Sequence, residues 1–365
     1  MVTFQTAGID GAATLPDVCS AALERLSPEV ADFLEGGAGD EVTLAANRRA
    51  FDRWAFVQRV MSGRETPRLA GSFLGVPLEL PVLTAPFGAD RLFDAEGQVA
   101  VARANAAAGT ASIVPEAGSF AIETVAREAA PAARFAQLHP MGPVDNFLRM
   151  LGRIERAGYS GVCLTLDCPT GGWRERIIRN GFDLDESYVS GNYPVDSGVE
   201  LEQVFGQLFE RGGTVWSWDG LADLMRGTRL PWIAKGIMTG ADAESALAAG
   251  ASALYVSNHG GRQLDGVPAS LEALVEVRRA VGPGVPIAFD SGVRRGADVV
   301  KAVALGADVV VIGRLAAYGL AVGGRAGVEH VLRLLRDEIR TILTLLGRGD
   351  LGEVGPDAVR PVGRS

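Results

Sequence analysis

From Pro81 onward the chain repeats one pattern, a short apolar run followed by a longer stretch with helical spacing. There are eight runs, at Pro81–Ala89, Thr110–Glu116, Arg134–Pro140, Gly161–Cys168, Pro231–Ile237, Ala253–His259, Pro286–Gly292 and Asp308–Arg314. The stretches between most of them are rich in alanine and leucine, as in Ala241–Ala249, Leu271–Ala280 and Gly296–Leu305. Strands that alternate with helices form a parallel sheet through right-handed crossovers. Eight such units close into a barrel, so the repeat predicts an α/β protein with a (β/α)8 TIM barrel.

The alternative for this repeat is an open, doubly wound sheet. That fold carries a glycine-rich phosphate-binding turn after its first strand, and none follows Pro81–Ala89. The 365 residues accommodate one barrel, expected over residues 81–350, with additions at both ends. Ala326–Leu346 is predicted to be the last barrel helix with an extension, and residues 351–365 a loose C-terminal tail.

Residues 1–80 are predicted to form a helical entry region packed on the barrel. Apolar residues recur with helical spacing over Leu15–Glu35, and Asp40–Phe51 is predicted to be a further helix. Short strands around the barrel mouth are expected at Phe56–Val60 and Phe73–Leu80.

The connection after the fourth strand is unusually long, with about sixty residues between Cys168 and Pro231. A long loop on the catalytic face of a barrel is typical of a lid. Gly191–Gly198 is polar and rich in turn-forming residues, which predicts a mobile segment, and Glu200–Glu210 is predicted to form a short helix.

The charge and composition of the chain exclude several classes of binding partner. A net charge of −9 leaves no basic face for nucleic acid or an anionic membrane. The sequence contains no stretch of about 18 apolar residues, so no membrane span is expected. Met1–Ser20 lacks a basic start followed by an apolar core, so no signal peptide is predicted. Cys19, Cys163 and Cys168 lack metal-binding spacing, so no metal is expected, and an odd number of cysteines fits a reducing cytoplasm.

The sixth run ends in the stretch with the most chemistry, Val256–Asp265, which reads VSNHGGRQLD. His259 follows the strand directly, and Gly260 and Gly261 allow a sharp turn that approaches a ligand closely. Arg262 comes three residues after the histidine. A base and a planar cation are thus placed at the carboxyl end of a barrel strand, where barrel enzymes carry their active sites. A lone loop histidine would more often be a structural residue bonded to a carbonyl.

The complete ten-residue string resembles the active-site signature of the FMN-dependent alpha-hydroxy-acid oxidases and dehydrogenases. The resemblance extends over roughly residues 15–350. It implies a TIM barrel that binds FMN, oxidises a 2-hydroxy acid and forms a homo-oligomer, usually a tetramer.

The resemblance also implies catalytic roles for several residues. His259 would be the base, and Asp167 would orient its imidazole and raise its basicity. Arg262, with Arg174, would bind the substrate carboxylate. Lys235 lies in an apolar strand, where a lysine needs a negative partner; by resemblance it would stabilise reduced flavin, although pairing with a strand carboxylate is the structural alternative. Arg174 could likewise be structural, because it begins the long loop.

The remaining positions that match the family would hold the cofactor. The ends of the seventh and eighth strands, where barrels commonly bind phosphate, carry Arg294 and Arg314 as bidentate donors. Ser291 stands where the family usually has glycine. The residues expected to bind FMN are Pro86, Phe87, Gly88, Gln137, Thr165, Lys235, Ser257, Asp290, Gly292, Arg294, Gly313 and Arg314.

The sequence departs from the family on one side of the substrate pocket. Phe33 and His139 replace two tyrosines, and Phe33 has no hydroxyl to donate. Pro115 replaces a serine that contacts the flavin ring, and Glu116 and Ala117 follow it. Ionised Glu116 would repel a substrate carboxylate. These changes predict a substrate that is larger than glycolate or lactate, or differently substituted.

Other functions remain open from the residues alone. One is FMN-dependent oxidation of another intermediate, for example one that bears an amine. Another is a cofactor-free lyase that forms a Schiff base on Lys235, and a third is a catalytically silent flavin-binding protein. The electron acceptor could be oxygen, a quinone or a protein carrier, but Gly171–Trp218 has no apolar insert of the kind found in membrane-attached relatives.

Overall fold

Eight parallel strands close into a barrel in the computed structural model, which describes residues 9–194, 198–210 and 215–363. The barrel strands are β4 (Val82–Thr84), β5 (Ser112–Val114), β6 (Arg134–Leu138), β7 (Gly161–Thr165), β8 (Trp232–Ile237), β9 (Ala253–Val256), β10 (Ile287–Phe289) and β11 (Val309–Ile312). Their order around the barrel is their order in the sequence, and β11 pairs with β4 to close it. Each strand lies within one of the eight apolar runs, so the predicted fold is confirmed.

Helices surround this barrel. They are α4 (Gly97–Ala107), α5 (Ile122–Glu128), α6 (Val144–Arg156), α9 (Trp218–Met225), α10 (Gly240–Ala248), α11 (Ser270–Val281), α12 (Gly296–Ala304) and α13 (Arg314–Leu345). Alternate strand residues such as Phe135, Cys163 and Tyr255 fill the interior, while their neighbours pack against the helices. The barrel is therefore a solid core, and space for ligands lies at its ends. No helix of the described residues is long and apolar enough to cross a membrane.

The entry region contains α1 (Leu15–Arg25), α2 (Pro28–Glu35), α3 (Val42–Asp52) and strand β1 (Trp54–Phe56). The prediction of one helix over Leu15–Glu35 was wrong, because the Ser27–Pro28 pair starts a new one. The Ser27 hydroxyl accepts from Val30 N, and Pro28 occupies the first turn, where its missing N–H costs nothing.

A hairpin of β2 (Gly71–Phe73) and β3 (Val76–Leu78) packs against the amino-terminal end of the barrel. Phe73 makes an edge-to-face contact with Phe135 of β6, with ring centroids 6.0 Å apart. The expectation of strands around the barrel mouth was therefore wrong for this segment, since the hairpin closes the opposite end. Its apolar side chains cover inward-facing residues that would otherwise meet water.

The C-terminal tail is held in place rather than loose. Strand β12 (Val359–Pro361) pairs antiparallel with β1, and Arg68 forms an ion pair with Asp350 at 2.7 Å. The last helix, α13, begins at Arg314, directly after β11, and its backbone breaks at Gly323 and Gly324. The sequence placed the start of this helix too late because the break interrupts its apolar periodicity.

The long connection after β7 contains α7 (Glu175–Asn180) and α8 (Leu201–Glu210), so the predicted helix at 200–210 is confirmed. Two residues of the segment predicted to be mobile, Gly191–Gly198, are buried, namely Asn192 and Tyr193, and its mobility stays a prediction. Residues 195–197 of that segment lie outside the described residues. Asn192 Nδ2 donates to the backbone oxygen of Glu116 at 2.7 Å and ties the connection to the end of β5.

Candidate active site

Three charged or titratable side chains meet at the carboxyl ends of neighbouring strands. Asp167 follows β7, Lys235 lies in β8 and His259 follows β9. Nδ1 of His259 lies 3.2 Å from Oδ2 of Asp167 and 3.2 Å from Nζ of Lys235. Lys235 Nζ also lies 3.4 Å from Asp167 Oδ1. The structure thus brings together three residues that are far apart in the sequence, and the carboxylate partner expected for a buried Lys235 is Asp167.

The turn that carries His259 has an unusual backbone. His259 itself has a φ of 58°, and Gly260 and Gly261 have φ values of 67° and 77°. A side chain at residue 261 would place its Cβ 2.7 Å from the backbone nitrogen of Leu44, so glycine is required there. A left-handed conformation in a non-glycine residue costs about 1–2 kcal/mol, and such conformations cluster at functional sites.

The charges of this cluster set its protonation states. Burial and then Lys235 lower the pKa of His259, and Asp167 opposes them, with a net value of about 4. Burial alone would raise the pKa of Asp167, but Lys235 and His259 outweigh it and hold that pKa well below its usual value. Burial would lower the pKa of Lys235, but Asp167 and Asp290 reverse this and raise it. At neutral pH the imidazole is neutral between a carboxylate and an ammonium group.

This arrangement corrects one expectation. Asp167 favours protonated His259, as predicted from the sequence, but burial and Lys235 together outweigh its effect. The two neighbours also compete for one atom, since Nδ1 must carry a proton to donate to Asp167 and must lack one to accept from Lys235. Which neighbour His259 bonds to therefore decides whether its second nitrogen, Nε2, can accept a proton.

Arg262 lies on the same turn as His259, and one nitrogen of its guanidinium is bonded to the end of α2. Its Nη1 atom donates to the backbone oxygens of Phe33 at 2.7 Å and Gly36 at 2.9 Å, and the guanidinium lies over the Phe33 ring. Arg174 donates from Nε to the backbone oxygen of Arg262 at 3.1 Å, and from Nη2 to Gln263 at 3.1 Å. Arg174 thus supports the Arg262 turn, as the structural alternative foresaw, and Arg262 joins the turn to the end of α2.

Donors for a phosphate gather at the ends of β10 and β11. Arg314 begins α13, whose first turn presents unpaired N–H groups and the positive end of the helix dipole. Arg294 lies over the ring of Tyr318 and 3.7 Å from Glu35. A Cβ at Gly260 would lie 2.7 Å from Nη1 of Arg314, so glycine allows this guanidinium to approach the turn. The guanidinium donates to the backbone oxygens of Gly260 at 3.0 Å, Leu34 at 2.9 Å and Gly36 at 3.1 Å. Two arginines and a helix N-terminus have the chemistry to bind the phosphate group of FMN, which would take the place of some of these carbonyl contacts.

The polar side chains predicted to contact the flavin ring are buried at the strand ends. Gln137 and Thr165 point into the barrel mouth from β6 and β7 and are almost fully buried. Ser257 follows β9 and is also buried. After β4, the amide nitrogen of Gln98 donates to the backbone oxygen of Phe87 at 2.9 Å. The other residues predicted to contact the cofactor follow the ends of β4, β10 or β11; they are Pro86, Gly88, Asp290, Gly292 and Gly313.

Ser291, which stands where the family usually has glycine, adopts a φ of 81°. Its hydroxyl donates to Asp290 Oδ1 at 2.8 Å and accepts from Gly260 N at 3.0 Å. These bonds tie the His259 turn to the end of β10 and offset part of the strain of the left-handed backbone.

Glu116 does not face an open pocket, contrary to the expectation that it would repel a substrate carboxylate. It is 3% exposed, and its oxygens accept from the Tyr193 hydroxyl at 2.6 Å and from His139 N at 2.8 Å. The His139 ring lies 3.1 Å from the same carboxylate. Sequence reasoning missed Tyr193, because nothing in the long connection signals which of its residues returns to the barrel.

An apolar cavity of about 320 Å³ lies beside the cluster, between the ends of β6 and β7 and helix α9. Met141, Trp216 and Leu221 are among its lining residues, and Thr165 and Cys168 form the wall nearest the strands. The Sγ atom of Cys168 lies 3.5 Å from Nδ1 of His259, so the cavity reaches within one side chain of the histidine. Pro115, predicted to alter the flavin contact, is buried after β5.

The ligand atoms of Asp167, Cys168 and His259 lie within 4.8 Å of one another, a spacing compatible with a metal. Two features oppose that use. Burial raises the pKa of Cys168 to about 12, which keeps the thiol protonated, and the Lys235 ammonium group already occupies the space beside Asp167 and His259.

Comparison with known proteins gives one consistent result. A family model described as FMN-dependent dehydrogenase matches residues 22–361. An L-lactate oxidase from Nostoc sp. is 39% identical over 338 residues, which cover 90% of this chain and 93% of that protein. A glycolate oxidase from Spinacia oleracea is 38% identical over 343 residues, 91% of each chain. Among solved structures, a mandelate oxidase with benzoyl-formic acid is 34% identical, with a TM-score of 0.86 over 96% of this chain and 98% of that one.

Proposed function

Because the chain belongs to the FMN-dependent dehydrogenase family and is an FMN-dependent alpha-hydroxy-acid oxidase or dehydrogenase, we propose that it oxidises a 2-hydroxy acid larger than glycolate or lactate, or differently substituted, to the 2-oxo acid, with His259 as the base. The family, the cofactor and the enzyme class agree with the resemblance seen in the sequence.

The observation that supports this proposal best is the His259–Asp167–Lys235 cluster. A neutral imidazole can accept a proton from the substrate, and Asp167 then stabilises the imidazolium that forms. When bound, FMN accepts the two electrons that leave the alcohol carbon. Lys235 would then stabilise the negative charge of the reduced cofactor. Arg262 would hold the substrate carboxylate against this cluster through guanidinium nitrogens other than Nη1, which bonds to the end of α2.

The cavity beside Cys168 supports a larger substrate. Its walls are mainly apolar, and Trp216 and Met141 offer contact area to an aromatic or alkyl side chain. Glycolate has no side chain and lactate has one methyl group, so neither gains from this surface. The mandelate oxidases among the structural neighbours bind an aryl acid in the same fold, which agrees with an aromatic or long-chain 2-hydroxy acid here.

The alternative lyase requires an uncharged amine on Lys235. The carboxylates of Asp167 and Asp290 keep this amine protonated by raising its pKa against the effect of burial, so it is a poor nucleophile. A silent flavin-binding protein would not need an acid–histidine pair at 3.2 Å. Oxidation of an amine-bearing intermediate stays compatible with the site and is the second candidate.

Three further features belong to the proposal. Molecular oxygen is the proposed electron acceptor, in line with relatives that are named oxidases. A homotetramer is proposed from the family resemblance alone. A cytoplasmic location is proposed because the three cysteines are free thiols, which suits a reducing compartment.

Anaerobic flavin reduction tests the function directly. The yellow protein is mixed without oxygen with glycolate, L-lactate, 2-hydroxyoctanoate and both enantiomers of mandelate, and loss of flavin absorbance is followed in a stopped-flow instrument. We expect an aromatic or long-chain acid to bleach the flavin faster than lactate does. Equal or faster bleaching by lactate or glycolate would refute the proposed preference for size, and a colourless protein that cannot bind added FMN would refute the function.

A further inference from the structure

Two buried asparagine side chains connect the entry region to the turn that carries His259. Nδ2 of Asn47, in α3, donates to Oδ1 of Asn258 at 2.8 Å, and Nδ2 of Asn258 donates back to Oδ1 of Asn47 at 2.8 Å. Asn47 is 1% exposed and Asn258 is 5% exposed. Because both side chains are buried, the loss of either partner leaves polar atoms of the other without the bonds that offset their removal from water.

Backbone groups fix the orientation of both amides. The backbone nitrogen of Ser270 donates to Oδ1 of Asn47 at 3.1 Å, and the backbone nitrogen of Gly261 donates to Oδ1 of Asn258 at 3.2 Å. A backbone N–H group can only donate, so each amide must turn its oxygen to that group, and the pair has a single arrangement. Asn258 directly precedes His259, so its bond to Gly261 closes the turn around the histidine.

Helix α3 is also bonded to the far end of the same stretch. Asp265 accepts from the backbone nitrogens of Thr43 at 2.8 Å and Val42 at 3.2 Å. It thereby caps α3, whose own N-cap residue, Glu41, makes no side-chain capping bond. The first turn and the middle of α3 thus hold the two ends of the stretch that contains His259.

Asn47 borders the cofactor segment as well as the His259 turn. A Cβ at Gly292 would lie 2.5 Å from the backbone oxygen of Asn47, so the end of β10 packs directly on this residue. Gly292 has a φ of 83° and is one of the residues predicted to bind FMN. One residue of the entry region therefore touches both the strand end that carries the proposed base and the strand end expected to hold the cofactor.

We propose that Asn47 is a positioning residue for the oxidation: through its pair with Asn258 it fixes the place of His259 relative to the end of β10. The turn needs such support because His259 adopts a left-handed backbone, and strained conformations persist only where surrounding contacts impose them. A reacting group displaced by about 1 Å loses roughly 100-fold in rate. This inference rests on the proposed function and gives the entry region a part in the reaction.

Asn47→Ala removes both bonds of the pair. We expect the rate of anaerobic flavin reduction to fall by about 10–100-fold, because His259 loses its fixed place. The variant should keep its FMN, measured by absorbance, since the backbone oxygen beside Gly292 is retained. Asn47→Ser keeps a polar group but lacks the amide nitrogen, and it provides the same test should the alanine variant fail to fold.

Thr43→Val is the matched control. Thr43 lies one helical turn before Asn47 on α3 and is completely buried, and its hydroxyl donates to the backbone oxygen of Val267 at 3.3 Å. Loss of this bond should lower the melting temperature, as loss of the Asn47 pair does, but it leaves Asn258 in place. We expect flavin reduction at the wild-type rate in Thr43→Val; a loss as large as that in Asn47→Ala would overturn the proposal.

The titration of His259 separates positioning from a general loss of stability. Burial and then Lys235 lower the pKa of this imidazole to about 4, Arg174 acts in the same direction, and Asp167 opposes them. The Cys168 thiol, 3.5 Å from Nδ1, stays protonated because burial raises its pKa to about 12. An imidazole that leaves these surroundings titrates closer to 6.5, its usual pKa. A displaced His259 therefore becomes protonated near pH 5–6, at about which wild type stays neutral, whereas a merely destabilised protein keeps the wild-type pKa in its folded molecules.

Nitrogen NMR of the holoenzyme follows this titration without turnover. The chain has three histidines, so selective ¹⁵N-histidine labelling gives few signals, and the one lost in His259→Ala belongs to His259. We expect Asn47→Ala to raise the pKa of His259 and Thr43→Val to leave it unchanged. An unchanged His259 titration in a folded Asn47→Ala variant would overturn the proposal even if wild-type flavin reduction succeeds. Failure of every 2-hydroxy acid to bleach the wild-type flavin would instead refute the proposed function.

Discussion

Nζ of Lys235 lies 3.2 Å from Nδ1 of His259, closer than it lies to the carboxylate of Asp167. A cation at this distance opposes protonation of the imidazole, and it acts in the same direction as burial. The base proposed for the reaction is therefore kept ready to accept a proton across the whole neutral range. Its ability to keep that proton depends on Asp167.

The pH dependence of the reaction should show this relationship. A group that must be neutral to act loses activity as the pH falls through its pKa, so a pKa of about 4 for His259 places the acid limb of kcat/KM near that pH, not near 6.5. Lys235→Met removes the cation and should move the limb to higher pH. The measurement is kcat/KM from about pH 3 to pH 9, over the range in which the protein stays folded, and an unchanged limb in Lys235→Met would show that the lysine does not control His259.

Removal of the base should separate binding from turnover. His259→Ala is expected to retain FMN, because the proposed phosphate donors Arg294 and Arg314 are untouched, and to reduce turnover by about 10²–10⁴-fold. Flavin content by absorbance and steady-state rate are measured on the same sample. Wild-type flavin reduction in this variant would exclude His259 as the base.

Arg262→Lys should impair both stability and reaction despite the retained charge. Lysine has one side-chain nitrogen where arginine has three, so it cannot bond to the carbonyls of Phe33 and Gly36 and also present a second nitrogen to a substrate carboxylate. We expect unfolding free energy to fall by about 1–3 kcal/mol and KM for the acid to rise. Denaturant titration and substrate titration measure these separately. A stable variant with a raised KM assigns Arg262 to the substrate, whereas unchanged flavin reduction shows that it does not hold an acid group.

Phe33→Tyr is expected to improve activity on small acids. The Arg262 guanidinium lies over this ring, so the added hydroxyl can donate to a substrate carboxylate that Arg262 binds. A hydrogen bond to such a charged group contributes about 1.5–3 kcal/mol. The corresponding change His139→Tyr, attractive from the sequence, should be harmful because it leaves buried Glu116 without its imidazole partner. Comparison of kcat/KM for lactate in the two single variants checks both expectations.

Trp216→Ala tests the apolar cavity. Loss of this indole removes a large part of the cavity wall and its edge-to-face contact with Phe147, whose ring lies 5.2 Å away. We expect kcat/KM for mandelate or a long-chain acid to fall by about tenfold or more, with little change for glycolate. Equal losses for all acids would indicate a general structural effect and remove the support for a side-chain pocket.

The sequence predicted the barrel well because each of its strands is a separate apolar run, and the strand ends then place Asp167, Lys235 and His259 together. It could not predict the state of Glu116. A carboxylate that follows a strand can face a pocket or lie buried, and here the outcome depends on Tyr193, 77 residues away along the chain. The split of the first helix was readable from Ser27 and Pro28, whereas the pairing of the tail with β1 is a long-range contact without a local signal.

The hairpin of β2 and β3 has a kinetic consequence. Side chains such as Phe135 and Tyr255 fill the barrel interior, and the hairpin covers its amino-terminal end, so ligands reach the site from the face where the strands end. Substrate and product then bind on the same face. We therefore expect a 2-oxo acid that dissociates slowly to inhibit the enzyme competitively with the next substrate molecule.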